Sequence, residues 1–205
     1  MSLNFPDSST TGVPKSVELA PSGSLTVSED GAVVESRKIT GTVTVKANDV
    51  VIRKTLIESD GLYAIKIMPG YRNLVVEDTE IDGGGVGSAA VCCSNYSLLR
   101  VDIHDVTEGP RLGSNTAVED SYIHHLHRCD SCHIDALQTT GGTDITIRRN
   151  NLQAYNPTTG YLMNAAYQFG TTQGPVTDVL VEDNFMNGGN YTVNGGGGGT
   201  SDAAV

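Results

Sequence analysis

The chain has 205 residues, with 13 Lys and Arg against 24 Asp and Glu, giving a formal net charge of −11 at pH 7. That acidity argues against a nucleic-acid partner, because phosphate binding needs a concentrated basic face, and no stretch approaches the roughly 20 apolar residues of a membrane span. Gly contributes 24 residues, aromatics 5% and Trp none, so the core must consist of thin, regular aliphatic layers.

Residues 1–31 are rich in Ser, Thr, Pro and Gly and begin without the basic and apolar regions of a signal peptide. They are expected to cap the first repeat unit as irregular or β structure. From residue 32 onward one pattern recurs: an aliphatic residue, two charged or polar residues, a small polar residue, any residue, then an aliphatic residue. It reads Ile52-Arg53-Lys54-Thr55-Leu56-Ile57, Val76-Glu77-Asp78-Thr79-Glu80-Ile81 and Val118-Glu119-Asp120-Ser121-Tyr122-Ile123, among others. The closing residues Ile39, Ile57, Ile81, Ile103, Ile123, Leu152 and Met186 fall 18, 24, 22, 20, 29 and 34 residues apart. The shorter intervals set a unit of about 22 residues, and the longer ones hold insertions.

A second short β-like run precedes each copy. These runs are Ala64-Ile65-Lys66-Ile67, Ala90-Val91-Cys92-Cys93, Gly109-Pro110-Arg111-Leu112, Ala136-Leu137-Gln138-Thr139 and Ala166-Tyr167-Gln168-Phe169. Turn residues fill the gaps, and no useful window shows helical periodicity. Two or three thin strands per unit predict an all-β parallel solenoid of about six to seven coils, each stacking on the next.

These repeats resemble those of right-handed parallel β-helix proteins, the pectate-lyase-like superfamily of polysaccharide lyases, glycoside hydrolases, uronan epimerases and phage tailspikes. The resemblance covers roughly residues 32–199 and implies a cap at 1–31 and a β-helix domain at 32–205. It implies a polysaccharide or glycan partner and an extracellular or cell-surface location. It does not fix an activity, because a fold hosts many functions, and no catalytic signature of pectate lyases or polygalacturonases stands at matching positions.

Lys54, Asp78, Arg100, Asp120, Arg149 and Asp183 occupy one position of the repeat and alternate in sign. Neighbouring strands lie about 4.8 Å apart, so this column is expected to be a structural charge ladder. Thr55, Thr79, Val101, Ser121, Asn150 and Asn184 form the next column, a small-polar ladder suited to hydrogen bonds between coils.

Chemistry is expected on the short runs. Lys66, Cys92, Arg111, Gln138 and Gln168 form an outward column, flanked by small residues, Ala64, Ala90, Gly109, Ala136 and Ala166, read as outward too and leaving room for a flat ligand. Insertions at 124–135 and 153–164 should stand side by side as a wall, bringing Tyr155, Tyr161 and His127 to a glycan-binding groove, since rings stack on sugar faces and amides read hydroxyls. For β-elimination on a uronan, the favoured chemistry, Arg111 pairs with the uronate carboxylate and His133 or Lys66 takes the acidified proton, with Asp135 orienting His133. In the competing hydrolytic reading, Glu108 and Asp135 are a carboxyl pair on neighbouring coils. A non-catalytic glycan binder or structural rod is the third reading, and in every case Glu108, Gln138 and Gln168 line the groove.

All five histidines, His104, His124, His125, His127 and His133, lie within 30 residues, and His104 and His124 should stack on adjacent coils. The run His127-Arg128-Cys129-Asp130-Ser131-Cys132-His133 admits a zinc site through His127, Cys129, Cys132 and His133, but a Cys129–Cys132 disulfide is the favoured reading and packed free thiols the next, with Cys93 inward. Calcium is a weaker alternative, and no cofactor is firmly implied. Tyr191-Thr192-Val193-Asn194 reads as the opening of another coil that the remaining residues do not complete. An open solenoid end exposes strand edges, so continuation of the chain or self-association there is expected.

Overall fold

The computed structural model describes residues 4–129 and 134–196, in which short strands alternate with turns and no α-helix occurs. The strand ladders are all parallel, and the protein is an all-β parallel solenoid.

Three columns of inward side chains hold the coils in register. On the first face Ile39, Ile57, Ile81, Ile103, Ile123, Leu152 and Met186 stand side by side on successive strands. On the second, Val34, Ile52, Val76, Leu98, Val118, Ile147 and Val181 do the same. On the third, Val43 faces Ile65, Ile65 faces Val91, and Leu137 faces Tyr167. Most of these residues are fully buried and meet in one core. A one-residue slip would turn a whole column to solvent, so the aliphatic spacing fixes the register.

The charge ladder marks a corner. Lys54, Asp78, Arg100, Asp120, Arg149 and Asp183 all have positive φ, between 47° and 56°, a left-handed conformation that costs an ordinary side chain roughly 1–2 kcal/mol. Neighbouring coils compensate. Arg100 grips Asp78 at 2.6 Å and Arg149 grips Asp120 with two bonds of 2.7 Å, whereas Lys54 turns to Glu35 at 3.1 Å rather than to Asp78. Beneath them the small-polar column is buried and bonded. Thr55, Thr79 and Ser121 hydroxyls donate to carbonyls two residues back, Val101 N–H donates to Ser121 Oγ, and Ser121 N–H donates to Asn150 Oδ1.

The third face depends on one glycine. Gly109 N–H donates to the Asp135 carbonyl at 3.0 Å, and a Cβ at Gly109 would collide with the Ala136 carbonyl. Only a bare backbone lets these coils approach so closely, which brings Arg111 into register with Gln138.

Candidate functional site

On the third face, Thr44, Lys66 and Cys92 are paired in register, Arg111 bridges to Gln138, and Gln138 pairs with Gln168 and then Asn194. The flanking alanines do not share this outward face. Ala64, Ala90, Ala136 and Ala166 are buried in the core, beside Ile65, Val91, Leu137 and Tyr167. Two consecutive inward residues break strict alternation where the chain enters the face. The column's neighbours are therefore the residues three back: Tyr63 and Ala89 beside Glu108, and Asp135 beside Ala165.

This spacing builds a polar cluster. Arg111 Nε and Nη2 both donate to Glu108 Oε2, at 2.9 and 2.5 Å, and Nη1 donates to the Tyr63 hydroxyl at 3.1 Å. Ala89 is the small residue between Tyr63 and Glu108, so the phenol can lean across that coil. Lys66 Nζ and the Arg111 guanidinium each lie 5.7 Å from the centre of the Tyr63 ring. Lys66 is exposed and Arg111 39% exposed, while Glu108 retains only 8%. Burial pushes the Glu108 carboxyl above its ordinary range; Arg111 opposes that shift and neighbouring Asp135 adds to it. Glu108 Oε1 is buried with no hydrogen-bond partner among the described residues. Asp135 is wholly buried and receives Asn164 Nδ2 at 2.7 Å and Gln138 Nε2 at 3.3 Å.

The two insertions stand together as a wall. Asn156 Nδ2 donates to the Leu126 carbonyl at 3.1 Å, Asn164 N–H donates to the Ile134 carbonyl at 2.8 Å, and Arg128 lies 5.3 Å over the Tyr161 ring. Tyr161 is half exposed at the mouth of a cleft of about 470 Å³ with Arg128, Ile134 and Asn164. Tyr155 closes the base of its insertion by an antiparallel bridge to Leu162. His127 is placed away from Arg111, with Nε2 3.0 Å from Asp105 Oδ1. His133 and Cys132 lie outside the described residues, so the zinc set drawn from that run and the His133 base do as well.

Cys92 and Cys93 form a vicinal disulfide, with Cys92 buried and Cys93 exposed. Both expectations are reversed: Cys92, read as outward with Lys66, is buried although it pairs with Lys66, and Cys93, read as inward, is exposed at the bend that follows the strand. Cys129 is also disulfide-bonded rather than free.

A second polar cluster covers the first face. Asp82, His104 and His124 stand in one outward column, and Glu80, Asp102 and Tyr122 in the next. The His104 and His124 rings stack at 5.4 Å, as their repeat positions require. His104 Nδ1 lies 2.7 Å from Asp105 Oδ2 and its Nε2 3.2 Å from Glu80 Oε1. His124 Nε2 meets Asp102 Oδ1 at 2.8 Å, and its Nδ1 meets His125 Nδ1. Burial opposes protonation of His104, but hydrogen bonds to Glu80 and Asp105, with Asp102 and Asp82 nearby, raise its pKa to about 9. The N-terminal segment crosses this face. Gly12 N–H donates to the Arg100 carbonyl at 3.0 Å, Asn151 Nδ2 donates to the Pro6 carbonyl at 2.8 Å, and Phe5 packs on Phe185. A cleft of about 680 Å³ remains between it and Glu80, Asp102, His104 and His124.

Sequence reasoning overlooked Tyr63, Asn164 and the carboxylates Glu80, Asp82, Asp102 and Asp105. A signal existed for Tyr63, which precedes Lys66 by the same three residues that separate Glu108 from Arg111 and Asp135 from Gln138. Comparison with protein-family models, curated proteins and solved structures finds no match.

Proposed function

We propose that the chain is a carbohydrate-active protein of the pectate-lyase-like β-helix kind, which holds an acidic polysaccharide along the Lys66–Gln168 column and cleaves it by β-elimination. The observation that carries this reading is the convergence of Lys66 and Arg111 on Tyr63. Cleavage of a uronan needs a cation on the carboxylate, a base for the acidified α-proton and a proton for the leaving oxygen. Arg111, fixed from behind by buried Glu108, neutralises the carboxylate. Lys66 Nζ takes the α-proton, the electron pair forms the new double bond, the adjacent glycosidic C–O bond breaks, and the Tyr63 hydroxyl protonates the departing oxygen. Gln138 and Gln168 extend the row of amide groups that read sugar hydroxyls on successive coils, spaced about 4.8 Å apart.

Hydrolysis by Glu108 and Asp135 is the second reading, favoured by the raised pKa of Glu108 and its unpartnered oxygen. Complete burial of Asp135 beneath amide donors weighs against its touching substrate, and we assign it to positioning Gln138 and Asn164.

The test is incubation with a panel of uronans, following the ultraviolet absorbance of the unsaturated product and the appearance of reducing ends. Both signals are expected, with Lys66→Met reducing turnover by about 10²–10⁴-fold as loss of a general base does, and Arg111→Lys impairing it while the fold is kept. Reducing ends without unsaturation would replace elimination by hydrolysis. Neither signal, with glycan binding retained, would make the protein a binder, and full activity in both variants would overturn the site.

A further inference from the structure

We propose that Asp82, His104 and Asp105 bind a divalent metal ion of the zinc type on the first face, apart from the third-face site. One ligand atom from each of Asp82, His104 and Asp105 lies within 4.8 Å of the others. His104 Nδ1 stands 2.7 Å from Asp105 Oδ2 and 3.9 Å from Asp82 Oδ1. Ligand atoms around a tetrahedral ion with bonds of about 2.1 Å sit roughly 3.4 Å from one another, a value these two distances bracket.

The surroundings independently favour a ligand role for His104. Its far nitrogen, Nε2, is 3.2 Å from Glu80 Oε1. A carboxylate that accepts this N–H fixes the tautomer with Nδ1 unprotonated and aimed at Asp82 and Asp105, the arrangement that orients metal-bound imidazoles. Asp82 is itself oriented by the Gly84 N–H, which donates to its Oδ1 at 2.7 Å. Asp105 is held in turn from the next coil. His127 Nε2 is 3.0 Å from Asp105 Oδ1, and its ring lies against Gly85, where a Cβ would come within 3.0 Å of Cε1. One imidazole and two carboxylates, with water completing the shell, favour a borderline transition ion over magnesium or calcium, which prefer all-oxygen shells.

The ion would tie together two successive coils through Asp82 and the His104–Asp105 pair. Its position at the edge of the first-face cleft, beside Glu80 and Asp102, leaves the groove along Lys66 and Arg111 untouched.

The experiment is calorimetric titration of the full chain, freed of metal with a chelator, with zinc chloride, alongside visible spectra of the cobalt-loaded protein. One ion per chain is expected, with the intense absorption of tetrahedral cobalt and a rise in thermal midpoint. Asp105→Asn and His104→Gln should abolish saturable binding while the circular dichroism of the fold persists. Glu80→Gln should weaken it by about 10–100-fold, the usual effect of removing a carboxylate behind a metal-bound histidine. Absence of saturable binding, unchanged binding in Asp105→Asn and His104→Gln, or binding lost only with His133→Ala would each overturn the proposal.

Discussion

Arg111 places two of its N–H groups on a single oxygen of Glu108, Oε2, and leaves the other oxygen, Oε1, buried without a hydrogen-bond partner among the described residues. The pair is thus asymmetric: the guanidinium is held on one edge by Glu108 and at its tip by Tyr63. Rigidity here comes from the carboxylate behind the cation.

Replacement of Glu108 by Gln should keep the shape but lose the charge-assisted bonds to Arg111. A loss of about 1.5–3 kcal/mol in stability is expected, the range for hydrogen bonds to charged groups, measured by urea denaturation. In the elimination reading turnover falls more than substrate binding, because Arg111 is misplaced for the charge that develops on the uronate.

Asn150 is fully buried and joins three coils. Its Oδ1 accepts from Ser121 N–H at 2.9 Å, and its Nδ2 donates to the Val118 carbonyl at 2.7 Å and to Asn184 Oδ1 at 2.9 Å. Asn150→Ala strands buried polar groups on both neighbouring coils and should cost about 2–4 kcal/mol by urea denaturation. Asn184→Ala, at a more open position, should cost less.

The left-handed corner gives a conformational prediction. At Lys54, with φ of 48°, Gly should be tolerated within about 1 kcal/mol, since relief of strain offsets the extra freedom of the unfolded chain. Lys54→Ile should lose at least about 1–2 kcal/mol, because a β-branched side chain fits this region worst. Thermal unfolding of the two variants decides it, and equal midpoints would remove the backbone argument.

The Asp120–Arg149 rung predicts a small, pH-dependent coupling. The bidentate bond from Arg149 holds the Asp120 carboxyl below its ordinary value of 3.8. Because the folded value is depressed, its stabilisation is present above that ordinary value and disappears as pH falls through the folded one. Both side chains are about a third or more exposed, so a double-mutant cycle at neutral pH should give no more than about 1 kcal/mol, declining toward zero in strong acid.

His104 behaves oppositely. Its pKa is raised from 6.5 to about 9, so its stabilisation is complete below the unfolded value and is lost as pH rises between these limits. In chelator, to remove any bound metal, the wild type should lose stability across that window relative to His104→Gln, measured by thermal midpoint against pH. Parallel curves would refute the shift.

The aliphatic repeat alone specified the parallel solenoid. Ile57, Ile81, Ile103 and Ile123 each close a copy of the pattern, and because neighbouring coils must align such residues to exclude water, their spacing fixed the register of everything between them. The outward column from Lys66 to Gln168, the stacking of His104 on His124 and the meeting of the two insertions follow from that register. What sequence spacing could not supply is where strict alternation fails. At the entrance to the third face two residues in succession turn inward, burying Ala64 and Ala136 and bringing Tyr63 and Asp135 to the polar cluster instead. Nor does spacing say which way a charged side chain bends: Lys54 goes back to Glu35, and His127 leaves the groove for Asp105. The acidic charge, which by composition argues against nucleic acid, is unevenly distributed. Tertiary packing sets Glu80, Asp82, Asp102 and Asp105 around histidines on one face and presents Lys66 and Arg111 on another, because burial and local pairing, not composition, determine where charge stands.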